Sequence, residues 1–278
     1  MNTTCTVSKE WLFEHMNDSD VIIADCRFDL KDAKAGREAY RKSHIPGALF
    51  FDLKNDLSGN VGTHGGRHPL PDPEVFAQQL REKGINKEKH VVIYDDDHGQ
   101  MAGRLWWLLH YVGQKNASIM DENFSEWMKQ GYPVTTEVPK LIPVSFESDV
   151  NENMVISMDE LKQRKDRNGV SLVDARAPER YNGTSEPLDH KAGHIPGAIN
   201  MFWKDNLAAR GVWKPEEDLR AMYDHLRNEE EVIVYCGSGV SANANIIAMQ
   251  KAGLKNIKLY PGSWSDWISY EDNEVEKD

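Results

Sequence analysis

A repeated motif is the strongest constraint that this sequence places on its own fold. The pentapeptide HIPGA occurs twice, at 44–48 and at 194–198. Upstream of each copy, an apolar run ends in a similar tripeptide, Asp25-Cys26-Arg27 in the first half and Asp174-Ala175-Arg176 in the second. Because the copies keep their order and spacing over long stretches of chain, the repeat predicts two domains of one fold.

Strand and helix signals alternate in both halves. The segment KHVVIYD (89–95) matches EEVIVYC (230–236), and each is followed by a segment with helical character. Buried strands that alternate with helices predict the α/β class, with a mostly parallel sheet flanked by helices in each domain. Functional residues in such folds lie beyond the carboxyl ends of the strands, which is where Asp95 and Cys236 are expected.

The boundaries follow from the repeat and from one irregular stretch. We predict an N-terminal domain over 1–134, a linker over 135–153 and a C-terminal domain over 154–278. The linker contains prolines and little hydrophobic periodicity. A chain of 278 residues is long enough for two hydrophobic cores.

Composition limits the partners and the compartment. The chain has 33 Lys and Arg against 45 Asp and Glu, a net charge of -12, so we expect no nucleic acid and no membrane partner. The absence of a signal-peptide pattern and of a long apolar window predicts a cytoplasmic location. The three cysteines form no CxxC pair and no Cys/His cluster, so neither disulfides nor a metal site is expected.

The loop CGSGVSA, which follows the apolar run at 232–235, is the candidate reactive site. Gly237 and Gly239 allow backbone angles that turn successive N–H groups toward one anion, and a helix that begins near Ser241 adds its positive end. Such a loop stabilises a thiolate or a persulfide anion at Cys236, with the Ser238 and Ser241 hydroxyls as further donors. The alternative interpretation is an inert buried cysteine in a tight turn.

The first half has Asp95 where the second has Cys236, within the acidic run YDDDHG. Carboxylates at that place oppose a thiolate or a bound anion. We therefore expect one catalytic half and one non-catalytic half.

Taken together, these motifs resemble the rhodanese family, and in particular its tandem two-domain sulfurtransferases. The resemblance covers nearly the whole chain. It implies that a sulfane sulfur moves from a small anionic donor to Cys236, and then to an acceptor such as cyanide or a reduced thiol. It also implies an inactive N-terminal domain, no metal or organic cofactor, and reduced thioredoxin as a plausible acceptor.

The loop bears on the donor. CGSGVSA is similar to the CGSGVTA loop of family members that use 3-mercaptopyruvate, whereas members of the animal type that use thiosulfate carry Arg and Lys directly after the cysteine. By this resemblance, four loop residues are assigned to donor binding: Gly237, Gly239, Val240 and Ser241. Both 3-mercaptopyruvate and thiosulfate stay open as donors, because the second arginine that mercaptopyruvate-using members carry shortly after the motif PEP is missing.

The segment RAPERYNGTSEP resembles the family motif GRFxGTxPEP and makes Arg180 the candidate for holding the carboxylate or sulfonate of the donor. The alternative is a surface arginine paired with Glu179 or Glu186. After this segment the chain reads PLDHKAGH, with Leu188, Asp189 and His190 in the stretch where a second arginine is usual in the family, and Lys191 as the nearest cation.

Two other features belong to the predicted site. The resemblance implies that Ser238 and His44 assist proton transfer, although both HIPGA histidines also suit a structural role. The segment HGGRHPLP (64–71) has no counterpart in the second half. One hypothesis is that it folds over the interdomain cleft that the family implies and brings Arg67 or His68 near an anionic donor.

Two other functions, a phosphatase and a persulfide carrier, compete with the sulfurtransferase interpretation. A phosphatase that shares the fold needs an arginine six residues after the nucleophile, and that position is Ala242 here. A persulfide carrier or regulatory module, fed by a protein partner, needs the same reactive cysteine as an enzyme, so the sequence does not separate it from a sulfurtransferase.

Overall fold

The structure is a computed structural model that describes residues 4–278, apart from the side chain of Arg210. It divides into two compact units. Unit 1 comprises the described residues up to Gly59 together with Pro71–Asn151, and unit 2 comprises Asn60–Leu70 together with Glu152–Asp278. The segment Asn60–Leu70 therefore belongs to the unit formed mainly by the second half of the chain.

Unit 1 is built on a five-stranded parallel sheet. Its strands lie in the spatial order β1-β5-β4-β2-β3. The apolar runs supply the two central strands, whose buried Val and Ile side chains suit a sheet covered on both faces. The strands are β1 (Thr6–Val7), β2 (Val21–Asp25), β3 (Leu49–Phe50), β4 (His90–Tyr94) and β5 (Ala117–Met120).

Within the described residues, five helices flank this sheet. Three of them begin at side-chain caps, since the Ser8 hydroxyl, the Asp72 carboxylate and the Asn123 side chain each accept hydrogen bonds from N–H groups of the first turn. One core cluster of the unit joins Leu12, Ile23 and Trp127. The helices are α1 (Lys9–His15), α2 (Ala35–Lys42), α3 (Pro73–Glu82), α4 (Ala102–Tyr111) and α5 (Phe124–Lys129).

Unit 2 repeats this plan on four parallel strands in the order β7-β6-β8-β9. The strands are β6 (Val170–Asp174), β7 (Ile199–Asn200), β8 (Glu231–Tyr235) and β9 (Ile257–Leu259). The α-helices are α6 (Met158–Arg164), α7 (Pro178–Tyr181), α8 (Glu216–Met222), α9 (Ala242–Lys251) and α10 (Ser263–Trp267). Short 3₁₀ turns cover Glu152–Met154, Trp203–Asn206, Ala209–Gly211 and Asp224–Leu226.

The two sheets have equivalent strand orders. β6, β7, β8 and β9 occupy the places of β2, β3, β4 and β5, and an isolated parallel bridge from Val155 to Leu259 lies where unit 1 has β1. The predicted fold class, two tandem α/β domains with parallel sheets flanked by helices, is confirmed.

The HIPGA histidines have the same place in both units. His44 stacks on Tyr40 at 3.9 Å, and its Nδ1 and Nε2 lie 2.6 and 3.1 Å from the carbonyl oxygens of Tyr40 and Glu137. His194 stacks on Tyr181 at 3.8 Å, with Nδ1 2.9 Å from its carbonyl oxygen. Both rings fasten the turn that leads into a strand.

Each unit also buries an acidic and a basic side chain at the end of one central strand, which is β2 in unit 1 and β6 in unit 2. Arg27 binds Asp25 at 2.7 Å, and Arg176 binds Asp174 at 2.6 Å. The guanidinium groups then donate to the carbonyl oxygens of Ser43 and Gly193 at 2.7 Å. These contacts tie the strand ends to the HIPGA turns.

The irregular stretch after α5 is hydrogen-bonded to unit 1. Thr135 exchanges two main-chain hydrogen bonds with His44, Arg81 donates through Nε to the carbonyl oxygen of Phe146, and the N–H of Asp149 donates to Val112. In the part of the chain that the structure describes, no helix has the length and apolar character required to cross a membrane.

Candidate active site

Cys236 follows the last residue of β8 and begins a six-residue loop that leads into α9. The thiol is buried, with 2% of the residue exposed. The N–H of Cys236 donates to Ser263 Oγ at 3.1 Å, and its carbonyl oxygen accepts from the N–H of Trp264 at 2.9 Å. These bonds to the start of α10 fix the loop independently of any bound donor.

The loop directs donors at the Cys236 sulfur. Burial by itself raises the pKa of this thiol, but hydrogen bonds from the Ser241 side chain and from the N–H groups of Ser238, Ala242 and Val240 outweigh burial and lower the pKa below its ordinary value. The sulfur is therefore poised to be an anion. This is the arrangement that the Gly/Ser loop predicts.

Cys26 follows strand β2 of unit 1, as Ala175 follows the equivalent strand β6 of unit 2. The surroundings of its thiol shift the pKa in the direction opposite to that of Cys236. Burial and the charges of Asp25 and Asp95 raise its pKa well above the ordinary value. This thiol stays protonated and packs as a small core residue.

Glycine is required at the two loop positions, 237 and 239, for different reasons. Gly239 has φ of +72°, and a Cβ there would lie 2.2 Å from the carbonyl oxygen of Pro261, so only glycine fits. Gly237 is not in the left-handed region, contrary to the expectation that both glycines need special angles. A Cβ on Gly237 would lie 3.1 Å from Arg67 Nη2 and 3.3 Å from both Nη atoms of Arg180. Its missing side chain leaves room for the two arginines.

A histidine from the first half of the chain reaches this loop. His68 is buried, and its Nδ1 lies 2.8 Å from the hydroxyl of Ser238, across 170 positions of sequence. The N–H of the same Ser238 donates to the Cys236 sulfur. His68, Ser238 and Cys236 thus form a connected chain of polar groups.

The segment Asn60–Leu70 is held in this position by contacts with the end of unit 2. The N–H of Gly65 donates to Asp266 Oδ1 at 2.6 Å, and the N–H of Arg67 donates to Ser265 Oγ at 3.1 Å. His64 stacks on Tyr270 at 3.9 Å. The segment that has no counterpart in the second half therefore supplies residues to the site.

Arg180 lies at the same end of the loop. Its Nε donates to both oxygens of Glu186, at 3.0 and 2.9 Å, and Nη2 donates to Asp189 Oδ2 at 3.1 Å. Glu186 is buried and also accepts from Arg176 Nη1 at 3.3 Å. Arg180 is thus paired with Glu186, as the alternative interpretation states, while its Nη atoms still face Gly237.

Arg67 is a second cation at the loop. Its Nη1 is bonded to Asp189 Oδ1, and burial together with the charge of Arg180 lowers the pKa of this guanidinium. Asp189 itself is almost fully buried. Sequence reasoning treated Asp189 only as the absence of an expected arginine and did not identify its position between two arginines.

His44, the other residue that the resemblance assigns to proton transfer, belongs to unit 1. Both of its ring nitrogens lie against main-chain carbonyl oxygens, an arrangement that suits the structural role of the HIPGA turn. Its part in proton transfer stays a prediction. Within unit 2, the histidine that contacts Ser238 is His68.

The equivalent loop in unit 1 is filled by its own carboxylate. Asp95 is buried, and its Oδ1 accepts from the N–H groups of Asp97 and Gly99 while Oδ2 accepts from those of Met101 and Ala102, at 2.8–3.0 Å. The loop geometry that favours an anion is therefore present in both units. Only unit 2 places a sulfur in it.

Comparisons with known proteins agree with this geometry. The model of the rhodanese-like domain matches residues 8–130 and 157–270. The 3-mercaptopyruvate sulfurtransferase of Escherichia coli K12 is 34% identical over 283 residues, which cover 99% of each chain. The thiosulfate sulfurtransferase of Mus musculus is 30% identical over 273 residues, covering 94% of this chain and 91% of the mouse protein.

Solved structures show the same likeness. The 3-mercaptopyruvate sulfurtransferase from Leishmania major superposes with a TM-score of 0.82 at 29% identity, covering 94% of this chain and 73% of the Leishmania chain. Two matches to one domain model, relatives that align along their whole length, and a single anion-binding cysteine loop lead to one assignment. The chain belongs to the rhodanese family, as a tandem-domain sulfurtransferase.

Proposed function

We propose that this enzyme transfers a sulfane sulfur from a small anionic donor to a thiophilic acceptor through a persulfide on Cys236. The observation that carries the proposal is the set of hydrogen bonds at the Cys236 sulfur, which favours an anion at a buried position. A persulfide keeps this charge and adds one sulfur atom. In this proposal the C-terminal domain (154–278) is catalytic, the N-terminal domain (1–134) is not, and 135–153 joins them.

Donor binding is assigned to the two arginines and to the loop. Arg67 and Arg180 turn Nη atoms toward Gly237, next to the reacting sulfur. A carboxylate or sulfonate on the donor accepts hydrogen bonds from such groups. We assign Gly237, Gly239, Val240 and Ser241 to the same donor site, because they belong to the loop that surrounds the reacting sulfur.

The two candidate donors need different proton chemistry. With thiosulfate, the Cys236 thiolate attacks the outer sulfur, the S–S bond breaks, and sulfite leaves with the electron pair; no proton moves. With 3-mercaptopyruvate, the C–S bond breaks and the enolate of pyruvate leaves. This enolate takes a proton at carbon while the transferred S–H loses one, which leaves pyruvate and a persulfide anion. The second reaction therefore benefits from a group that moves a proton.

His68 and Ser238 supply such a group. A histidine exchanges protons near neutral pH, and the ring of His68 contacts the hydroxyl of Ser238, the residue whose main-chain N–H donates to the reacting sulfur. We propose that the Ser238 hydroxyl passes the proton between His68 and the bound donor. This arrangement favours 3-mercaptopyruvate as a donor, with thiosulfate as the donor that does not use the relay. The loop sequence CGSGVSA supports the same preference.

The second half-reaction returns the enzyme to its thiolate. Cyanide attacks the outer sulfur of the persulfide and leaves as thiocyanate, while the S–S electron pair returns to Cys236. A reduced thiol can take the sulfur in the same way. We propose reduced thioredoxin as a cellular acceptor and the cytoplasm as the location of the enzyme.

The direct test is to record the intact mass after incubation with each donor alone, followed by turnover with cyanide. We expect the wild type to gain the mass of one sulfur atom and to form thiocyanate. Cys236→Ser should lose both, because the serine hydroxyl does not ionise near neutral pH. Cys5→Ser, the same exchange at a half-buried cysteine, is the control and should keep both.

Two results would contradict the proposal. Sulfur uptake by Cys236→Ser would place the persulfide on another residue. A mass gain in the wild type without turnover on any small acceptor would favour the persulfide carrier that is fed by a protein partner.

A further inference from the structure

Asp189 lies between the two arginines that face the reactive loop. One carboxylate oxygen is bonded to Arg67 Nη1, and the other accepts from Arg180 Nη2 at 3.1 Å. The side chain is 5% exposed, so this is a buried bridge between two cations and not a surface ion pair. The two arginines come from sequence positions far apart, and the carboxylate is what holds them together.

The charges at this end of the loop are balanced before any donor arrives. Arg67 and Arg180 contribute two positive charges, and Glu186 and Asp189 contribute two negative charges. When Cys236 ionises, which the hydrogen bonds to its sulfur favour, its thiolate adds one more negative charge next to Gly237. An incoming anion therefore meets two arginines whose charge is already neutralised by two almost fully buried carboxylates.

The cost of this arrangement depends on the charge of the donor. The carboxylate of 3-mercaptopyruvate brings one negative charge, and thiosulfate brings two. Hydrogen bonds from the arginines are enough to hold a monoanion in such a site. A dianion is also repelled by the nearby thiolate, and no cation with unbalanced charge is present to offset that repulsion. This repulsion lowers the affinity for the dianionic donor even if both donors form the same hydrogen bonds with the arginines.

We propose that Asp189 determines donor specificity in this enzyme by neutralising Arg67 and Arg180, which makes the site selective for monoanionic over dianionic sulfur donors. This inference rests on the proposed function of Cys236. It assigns Asp189 a role that favourable contacts with the donor do not explain. Arg67 acts in the opposite direction, since it is the cation that a dianion uses.

The test compares kcat/KM for thiosulfate with that for 3-mercaptopyruvate in Asp189→Asn. The asparagine keeps an oxygen acceptor for one arginine and removes one negative charge. We expect the thiosulfate-to-mercaptopyruvate ratio to rise about tenfold, mainly through a lower KM for thiosulfate. Inhibition by sulfate, an unreactive dianion, should tighten by a similar factor, whereas inhibition by the monoanion pyruvate should change little.

Two further variants separate the effect of charge from a loss of fold. Arg67→Gln removes a cation and should shift the ratio in the opposite direction, whereas a folding defect lowers both rates without changing the ratio. Asp218→Asn makes the same charge change on the exposed side of α8 and should leave the ratio unchanged.

The outcomes distinguish this inference from the function beneath it. An unchanged ratio and an unchanged sulfate inhibition in Asp189→Asn, with turnover retained, would overturn the role of Asp189 and leave the sulfurtransferase proposal intact. A wild type that takes up no sulfur from either donor would overturn the proposed function first.

Discussion

At the residue scale, the contact between His68 and Ser238 separates the two donor chemistries. In His68→Asn, the amide oxygen replaces the Nδ1 contact with the Ser238 hydroxyl but does not exchange protons. We expect kcat with 3-mercaptopyruvate to fall about 100-fold, because the enolate then lacks its proton relay, and kcat with thiosulfate to change about threefold at most. Parallel steady-state assays with both donors measure the difference.

The control for this variant is His225→Asn, which changes an exposed histidine of unit 2 and should affect neither donor. Equal losses with both donors in His68→Asn would show that the ring only positions Ser238. A loss that is confined to thiosulfate would reverse the assignment of the relay.

The reactive residues differ in how far their sequence context reveals them. Cys236, Ser238 and Ser241 are close in sequence, so a single loop motif predicts that they act together. His68 contacts Ser238 of the loop, and Asp189 contacts Arg67 beside it, through tertiary contacts that no local sequence pattern records. For His44, the resemblance implies a part in proton transfer, whereas the repeat indicates a role that both units share, which is the turn.

At the scale of elements, the strand, loop and helix formed by β8, residues 236–241 and α9 produce an anion site. Ser241 is the side-chain donor to the Cys236 sulfur, beside three N–H groups. In Ser241→Ala the pKa of the thiol should rise, so the alkylation of Cys236 by iodoacetamide reaches its midpoint at a higher pH. At pH 7 we expect the rate to fall about threefold, since a smaller thiolate fraction is partly offset by a more nucleophilic thiolate.

The rate is followed on the Cys236 peptide by mass spectrometry, so that alkylation of Cys5 does not contribute. Ser171→Ala, at the opposite end of the neighbouring strand β6, is the control and should leave the midpoint in place. If Ser241→Ala had the midpoint of the wild type, the main-chain N–H groups alone would account for the lowered pKa.

The same strand, loop and helix in unit 1 support the proposal that the N-terminal domain is not catalytic. Asp95 places its carboxylate where the sulfur of Cys236 lies and accepts four N–H hydrogen bonds. A covalently attached anion satisfies the loop permanently and leaves no position for an external one. The sequence predicts this substitution, because the two strand ends align, but it does not reveal that the carboxylate is fully hydrogen-bonded by its own loop.

Elements were predictable where the periodicity is strong and the contacts are local. The central strands and the helices after them follow from apolar runs and turn residues. The position of the segment Asn60–Leu70 does not follow from its local sequence, because its place in unit 2 depends on contacts such as Gly65 with Asp266 and His64 with Tyr270. Its lack of a counterpart in the second half was the one available signal.

At the scale of the whole molecule, one structural device is used twice for different ends. Asp25 and Arg27 in unit 1, and Asp174 and Arg176 in unit 2, are buried ion pairs at equivalent strand ends. In unit 2 the guanidinium also binds Glu186, which in turn binds Arg180. The pair in unit 2 is therefore connected through Glu186 to Arg180, the arginine proposed to bind the donor. The pair in unit 1 ties its strand end to the HIPGA turn.

This difference predicts the outcome of two matched substitutions. Asp25→Asn removes the carboxylate that binds the buried Arg27, and Asp174→Asn leaves the buried Arg176 with Glu186 alone; each should cost about 3–5 kcal/mol of unfolding free energy. Only Asp174→Asn should also raise KM for the sulfur donor, because Arg176, left with one carboxylate, draws Glu186 away from Arg180. Urea denaturation followed by circular dichroism measures the first effect, and steady-state kinetics on the folded fraction measures the second.

The comparison between the two variants carries the argument, since both lose the same group at equivalent positions. Equal loss of stability with a change in KM confined to Asp174→Asn would show that duplication preserved the structural pair and that unit 2 added the connection through Glu186. If Asp25→Asn raised KM as much as Asp174→Asn, loss of stability alone would account for both effects, and the proposed connection from Arg176 to Arg180 would be wrong.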